Sequence, residues 1–271
     1  MKEMTLKEIQ DEELALLERF ASWCDSHGVR YFLAAGSLLG AVRGGAPIPW
    51  DDDIDVLVPR PDYDRLVADF SGDSRCELLS PGEGYPWNFS KLVSLKTRFV
   101  EDGLAMPDHM GVYVDIFPVD GLPPEGYDAR IADLRFAVKV AGVVFARDYS
   151  SEANRGGVKN ALRRLASIVG RRLFSQQALA EKIQDICRWS PFESSDKVGV
   201  LFGAYGAPRE EYPRRMFDGN SEVMFSGRNF KTFADPESYL THMYGDDWRT
   251  PTPQSPRVHG KAWMQEGGDV R

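Results

Sequence analysis

Four aspartates occupy five consecutive positions in Asp51-Asp52-Asp53-Ile54-Asp55, and the run continues into Val56-Leu57-Val58. From Asp53 onward acids alternate with apolar residues. That is the period of a strand with one buried face, so Asp53 and Asp55 share a side while Ile54 and Val56 point into a core. Carboxylates crowded in this way repel one another, and only a cation or bound protons offset the cost. A divalent metal with oxygen ligands is the simplest remedy. The segment therefore predicts a strand that is core on one side and carries chemistry on the other.

The flanking residues extend the pattern. Val29 to Ala35 is a short buried-strand pattern, Gly36-Ser37 closes it, and Leu38 to Arg43 begins a helix. A strand, a small-residue turn and a helix N-terminus suit a phosphate, because backbone N–H groups and the Ser37 hydroxyl can approach its oxygens closely. From Gly111 to Phe117 a further strand sets Val112, Val114 and Ile116 against Tyr113, Asp115 and Phe117, and so presents another carboxylate. Two-metal phosphoryl transfer needs aspartates that hold the ions and one that receives the proton of the attacking hydroxyl. Asp53, Asp55 and Asp115 can supply that set as both metal ligands and catalytic groups.

Two rival readings compete with a two-metal site. Asp51, Asp53, Asp55 and Asp62 fall where a calcium-binding loop of the EF-hand type places ligands, but Val56 stands where its sharp turn requires glycine. A solvated acidic turn without metal is the other rival. Asp52, pointing away from Asp53 and Asp55 on an extended segment, is read as such a solvated residue, and Asp51 as a support behind the ligands.

Elsewhere, Leu6 to Cys24 carries its apolar residues at helical spacing and stops at Gly28, and Asp62 to Phe70 reads as a helix. Asp120 to Pro124 reads as a turn. Beyond it, Ala129 to Tyr149, Val158 to Phe174 and Gln176 to Trp189 are helical in pattern. A hairpin about Ser226 to Asn229 precedes a helix that starts at Asp235-Pro236 and ends at Gly245. Residues after Arg249 are expected to be extended or frayed. The organisation expected is a catalytic core at 1–124, a helical insertion at 125–190 and a hairpin–helix unit at 191–271 that completes the site, all in one compact α/β unit.

The formal charge of −8 argues against nucleic acid as a partner. Cys24, Cys76 and Cys187 are too scattered for a disulfide framework, and no stretch is oily enough to span a bilayer, so a cytoplasmic protein is expected. Ala153 to Ala180 contains no acid, while Arg155, Lys159, Arg163, Arg164, Arg171 and Arg172 alternate with Val158, Leu162, Leu165, Ile168, Val169 and Leu173. The plainer expectation is a helix packed by its apolar face with the basic face in water. The alternative is peripheral contact through 155–173 with anionic lipid at the inner membrane face, or guidance of a polyanionic acceptor.

The phrase from Tyr31 to Arg43 through Ile48 to Val56 resembles the LicD family of phosphocholine transferases, relatives of fukutin-related proteins within the nucleotidyltransferase fold superfamily. Val114 to Gly121 and Phe230 to Trp248 are also similar to that family. The resemblance implies a nucleotidyltransferase-like mixed sheet and two magnesium or manganese ions on Asp53, Asp55 and Asp115. It implies transfer of phosphocholine, or a similar alcohol phosphate, from CDP-choline or a related CDP-alcohol to a hydroxyl of a cell-surface glycan or its precursor. Lipopolysaccharide, teichoic acid or a lipid-linked precursor would be such an acceptor, and cytidine monophosphate would leave. True nucleotidyl transfer with release of pyrophosphate, and a non-catalytic divalent-cation or nucleotide-binding module, stay open as alternatives.

Supporting residues carry weaker signals. Gly36 and Ser37 are candidates for phosphate, and Arg43 and Lys91 for the charge of the diphosphate. Trp50, Tyr85, Trp87, Tyr113, Tyr244 and Trp248 form the pool for an aromatic cage around a quaternary ammonium, with Trp50 and Trp248 favoured because each adjoins acids. His259 is a candidate to reach a phosphate or move a proton.

Overall fold

The computed structural model describes residues 1–151, 154, 156–206, 209–251 and 259–265. The chain opens with β1 (Lys2–Glu3) and α1 (Leu6–His27), whose N-terminus is closed by a reciprocal pair of bonds between Thr5 and Glu8 and whose end turns at Gly28 with φ 63°. β2 (Phe32–Leu33), α2 (Ala35–Gly44), β3 (Asp55–Pro59) and α3 (Arg60–Asp69) follow. Then come β4 (Cys76–Leu79), β5 (Ser90–Ser94), β6 (Thr97–Val100) and β7 (Tyr113–Leu122). The helical middle holds α4 (Tyr127–Ala141), α5 (Val158–Leu173) and α6 (Gln176–Cys187). The rest is β8 (Lys197–Gly199), β9 (Glu211–Pro213), the hairpin β10 (Asn220–Phe225) and β11 (Arg228–Phe233), α7 (Pro236–Tyr244) and β12 (Lys261–Met264).

The central sheet is mixed, in the order β2-β3-β7-β5-β4, with β8 and β9 continuing from the far half of β7. Only β3 and β7 run parallel among these pairs; the others are antiparallel. The α/β class expected from the sequence is the class observed. Strand alternation sorts the sheet into two faces. Val56, Val58, Val114 and Ile116 pack with Leu17, Phe20 and Cys24 of α1, while Leu57 and Val119 pack with Leu38, Phe233, Tyr239 and Leu240 on the side of α2 and α7. Asp55 and Asp115 belong by parity to this second face, ahead of its apolar residues.

Several boundaries differ from the sequence expectation. β2 has two residues, and Gly36 and Ser37 lie inside the first turn of α2 rather than in a turn before it. β7 runs on through Asp120 and Leu122, where a turn was expected, because β8 pairs with that stretch. The C-terminal part is not frayed throughout: β12 pairs between β1 and β6 and buries Ala262. Stretches 252–258 and 266–271 of that tail, and Arg155 of the basic run, lie outside the described residues.

The helical middle is tied to the sheet by a buried network. Arg60 Nε and Nη2 donate to the two carboxylate oxygens of Asp120 at 2.6 and 2.9 Å, and Arg60 Nη1 donates to Gln184 Oε1 of α6 at 3.0 Å. Charges this deep are retained only when paired and fully bonded, which the forked guanidinium achieves.

Candidate active site

The β3–β7 register places Asp55 beside Asp115, and the β5–β7 register places Lys91 on the other side of Asp115. One row across three strands thus reads acid, acid, base. Asp53, just before β3, shares the face of Asp55, and carboxylate oxygens of Asp53, Asp55 and Asp115 all lie within 4.8 Å of one another. Three hard oxygen donors at that spacing fit one divalent cation without rearrangement of the backbone.

Helix α2 is stitched to the same strand. The Ala34 N–H donates to the Asp55 carbonyl at 3.0 Å, and the Asp55 N–H donates to Ser37 Oγ at 2.9 Å. Ser37 therefore fixes the distance between the helix N-terminus and the acids. Gly36 leaves room for the Asp51 carboxylate, since a Cβ there would lie 2.7 Å from Asp51 Oδ2 and would push that side chain aside. Ala35 holds a left-handed φ of 46° while its N–H donates to the Tyr239 hydroxyl at 3.2 Å. The positive end of α2 thus faces the acid cluster, where negative charge is stabilised. On the other flank, Gln10 Nε2 of α1 donates to the carbonyls of Ile48 and Asp51 at 3.2 and 2.8 Å and braces the loop that carries the acids.

Burial and mutual repulsion govern protonation here. Burial, with the charges of Asp53 and Asp52 added, pushes Asp51 up to about 7, and Asp51 and Asp53 share a hydrogen bond between their carboxyls. Burial raises Asp55 well above the usual carboxylate range, and its neighbours Asp53 and Asp115 add to the shift. Asp115 is pushed up to about 6, burial outweighing the ammonium of Lys91 bonded to it. The cluster behaves as a coupled set short of positive charge.

Two cations answer it from the protein. Lys91 is buried; its Nζ pairs with Asp115 Oδ1 and lies 3.4 Å from the ring centroid of Tyr113, 5.0 Å from that of Trp87 and 5.2 Å from that of Phe89. Two members of the expected aromatic pool, Trp87 and Tyr113, thus already hold an ammonium. His259 donates its backbone N–H to Asp52 Oδ2 at 2.8 Å, and its Nδ1 meets Asp52 Oδ1 at 2.7 Å. That bond raises the imidazole to about 9, against burial, and its Nε2 lies 4.0 Å from Asp53. Asp52 is 1% exposed, so the reading of a solvated residue is corrected: its side chain turns inward to anchor the imidazole.

The remaining candidates separate. Trp50 is half-buried at the head of the acid run. Arg43 is spent elsewhere: Nη2 donates to the carbonyls of Trp248 and Thr250 and fastens the end of α2 to the turn after α7. Trp248 is buried in the core beside Tyr239 and Met243, with its indole N–H on Thr241 Oγ1 at 3.0 Å and Arg249 over its ring. The structure therefore holds Arg43 and Trp248 together, in the packing behind α2, through contacts that leave the Trp248 ring no open face.

Sequence reasoning missed Glu13. It lies on α1 and is 2% exposed; burial raises it well above the usual range, and Asp53, Asp52 and Asp115 add to the shift. The available signal was its position, since Ile9, Glu13, Leu17, Phe20 and Cys24 form one helical stripe, with an acid where an apolar residue belongs.

Residues 28–130 match the model of the family described as LicD/FKTN/FKRP, nucleotidyltransferase domain. Over those residues the chain is similar to that family's domain. It is also 26% identical over 276 residues, 96% of this chain and 97% of the relative, to the lipopolysaccharide cholinephosphotransferase LicD of Haemophilus influenzae. The LicD match contains α2, the acid run, Lys91 and Asp115, whereas Glu13 and His259 come from outside it. The carboxylates and Lys91 thus fall within the matched stretch, and Glu13 and His259 reach them from outside it.

Proposed function

We propose that this protein transfers phosphocholine, or a similar alcohol phosphate, from a cytidine diphosphate donor to a hydroxyl of a cell-surface glycan or its precursor. The observation that carries the reading is the meeting of Asp53, Asp55 and Asp115 at the N-terminus of α2. The similarity to a lipopolysaccharide cholinephosphotransferase over 96% of the chain supports the choice of group and acceptor class.

Magnesium or manganese on Asp53, Asp55 and Asp115 would supply positive charge against the diphosphate as charge builds on it. The chain's own residues do the rest. The first-turn amides of α2 at Gly36 and Ser37 offer a phosphate site. Imidazolium at His259, held by Asp52, lies on the same side as Asp53 and can bind a phosphate oxygen. Asp115, held by Lys91, is positioned to take the proton of the attacking hydroxyl; its oxygen then bonds to the phosphorus next to choline while the bond to cytidine monophosphate breaks.

Calorimetric titration with CDP-choline, with and without magnesium, tests this before any acceptor is known. Expected is magnesium-dependent binding that Asp53→Asn weakens by about 100-fold or more, by analogy with lost metal-site partners, and weaker binding of cytidine triphosphate. Tight binding of the triphosphate with none of CDP-choline would overturn the substrate, and pyrophosphate as the released product would overturn the reaction.

A further inference from the structure

Helix α5 is attached to the body by the face opposite to the one its composition favours. Its buried residues are Ser167 and Gly170. Ser167 Oγ donates to the Val144 carbonyl at 2.7 Å, and Arg171 Nε donates to the same oxygen at 3.0 Å. A Cβ at Gly170 would lie 2.6 Å from Val144 Cγ2, so only glycine permits this approach. The apolar stripe is turned outward: Val158 is 79% exposed, Leu162 63%, Leu165 58% and Leu173 71%. This corrects the plainer sequence expectation of a helix packed by its oily face.

The stripe is continuous, since Val158, Leu162, Leu165, Val169 and Leu173 recur every three or four residues on the far side from Ser167. Lys159 and Arg163 border it on one side, Arg164 and Arg172 on the other, while Arg171 is held on the attached face. The sequence has no acid between Ala153 and Ala180, although the whole chain carries −8, so the helix is a local basic island on an acidic protein. Two features must be met by one partner: an oily stripe and rows of cations beside it. An anionic polysaccharide would leave the leucines in water. A second copy would bury them but set like charges together. An anionic bilayer surface answers both, with acyl chains below and phosphate headgroups alongside. Among the described residues no helix is long and apolar enough to cross a membrane, so α5, about 24 Å long by its rise per residue, would lie flat.

We propose that the outer face of α5 is a docking surface for anionic phospholipid bilayers. The inference is independent of the transfer reaction. Co-sedimentation of the full chain with vesicles of phosphatidylcholine and phosphatidylglycerol, compared with pure phosphatidylcholine, tests it, with thermal melts to confirm that the variants fold. The protein should sediment with the mixed vesicles and be released by raised salt. Leu162→Asp with Leu165→Asp should weaken binding at least about tenfold through lost insertion. Arg164→Gln with Arg172→Gln should weaken it about 30-fold, from the usual contribution per cation near a charged surface. Failure to sediment, equal binding to pure phosphatidylcholine, or binding untouched by the leucine pair would overturn the proposal. So would a dimer on gel filtration that the leucine pair breaks while vesicles stay unbound, since the face would then be a contact between copies.

Discussion

A single inward turn of Asp52 decides how the C-terminal end reaches the acid cluster. Its two carboxylate oxygens accept the backbone N–H and meet the ring nitrogen of His259. His259→Ala removes one of these bonds from a half-exposed ring and should cost about 1.5 kcal/mol, whereas Asp52→Ala removes both and should cost about 3 kcal/mol. Urea unfolding of the two variants measures the difference; an Asp52→Ala protein as stable as its parent would return Asp52 to the role of a solvated residue. At this scale the sequence showed the clustered carboxylates because strand parity alone puts Asp53 and Asp55 on one side. It misplaced Asp52 because its partner lies 207 positions away, and no local pattern reports such a pair. It missed Glu13 because an amphipathic helix is recognised by its apolar residues, so that one acid within the stripe passes as noise.

Helix α2 shows how an element can be legible while its seating is not. The Gly-Ser pair marked the helix start to within three residues, yet its function in the fold is contact: Gly36 clears Asp51 and Ser37 latches Asp55. Gly40 is tighter still, since a Cβ there would lie 2.5 Å from the Ala46 carbonyl and 3.0 Å from the Ile48 nitrogen, both backbone atoms. Gly40→Ala should therefore cost about 2 kcal/mol by forced displacement of the loop and should weaken divalent-cation binding at the same time, because that loop carries Asp51 to Asp53. Gly44, in the same helix, has nothing within 4 Å of an added Cβ. Gly44→Ala should stabilise by about 0.5 kcal/mol through helix propensity. Paired urea melts and cation titrations check both directions, and a Gly40→Ala protein that behaves like Gly44→Ala would show that the loop yields freely. The long periodic α1, and α7 with its Asp-Pro start and glycine stop, were legible from end to end. The short β2 and the C-terminal β12 were not, because strands of two to four residues take their existence from partners rather than from pattern.

Across the whole molecule, the sheet brings to one row residues from three separate strands, and the chain ends add Glu13 and His259 to it. Such a cluster costs stability while it lacks a counter-ion, because buried carboxylates must either hold protons or repel one another. Opposite signs follow for one substitution under two conditions. In chelator-treated protein, Asp55→Asn removes one member of the crowd and should raise the melting temperature. With magnesium or manganese at about 100 times its dissociation constant, the parent should gain about 2.7 kcal/mol by mass action. For a chain of this size that is a rise of about 5–10 °C. Asp55→Asn, with one ligand lost, should show little of that rise, so the order of the two melting curves inverts when the cation is added. Differential scanning calorimetry reads both curves, and parent melts that superimpose with and without the cation would mean that Asp53, Asp55 and Asp115 share protons alone.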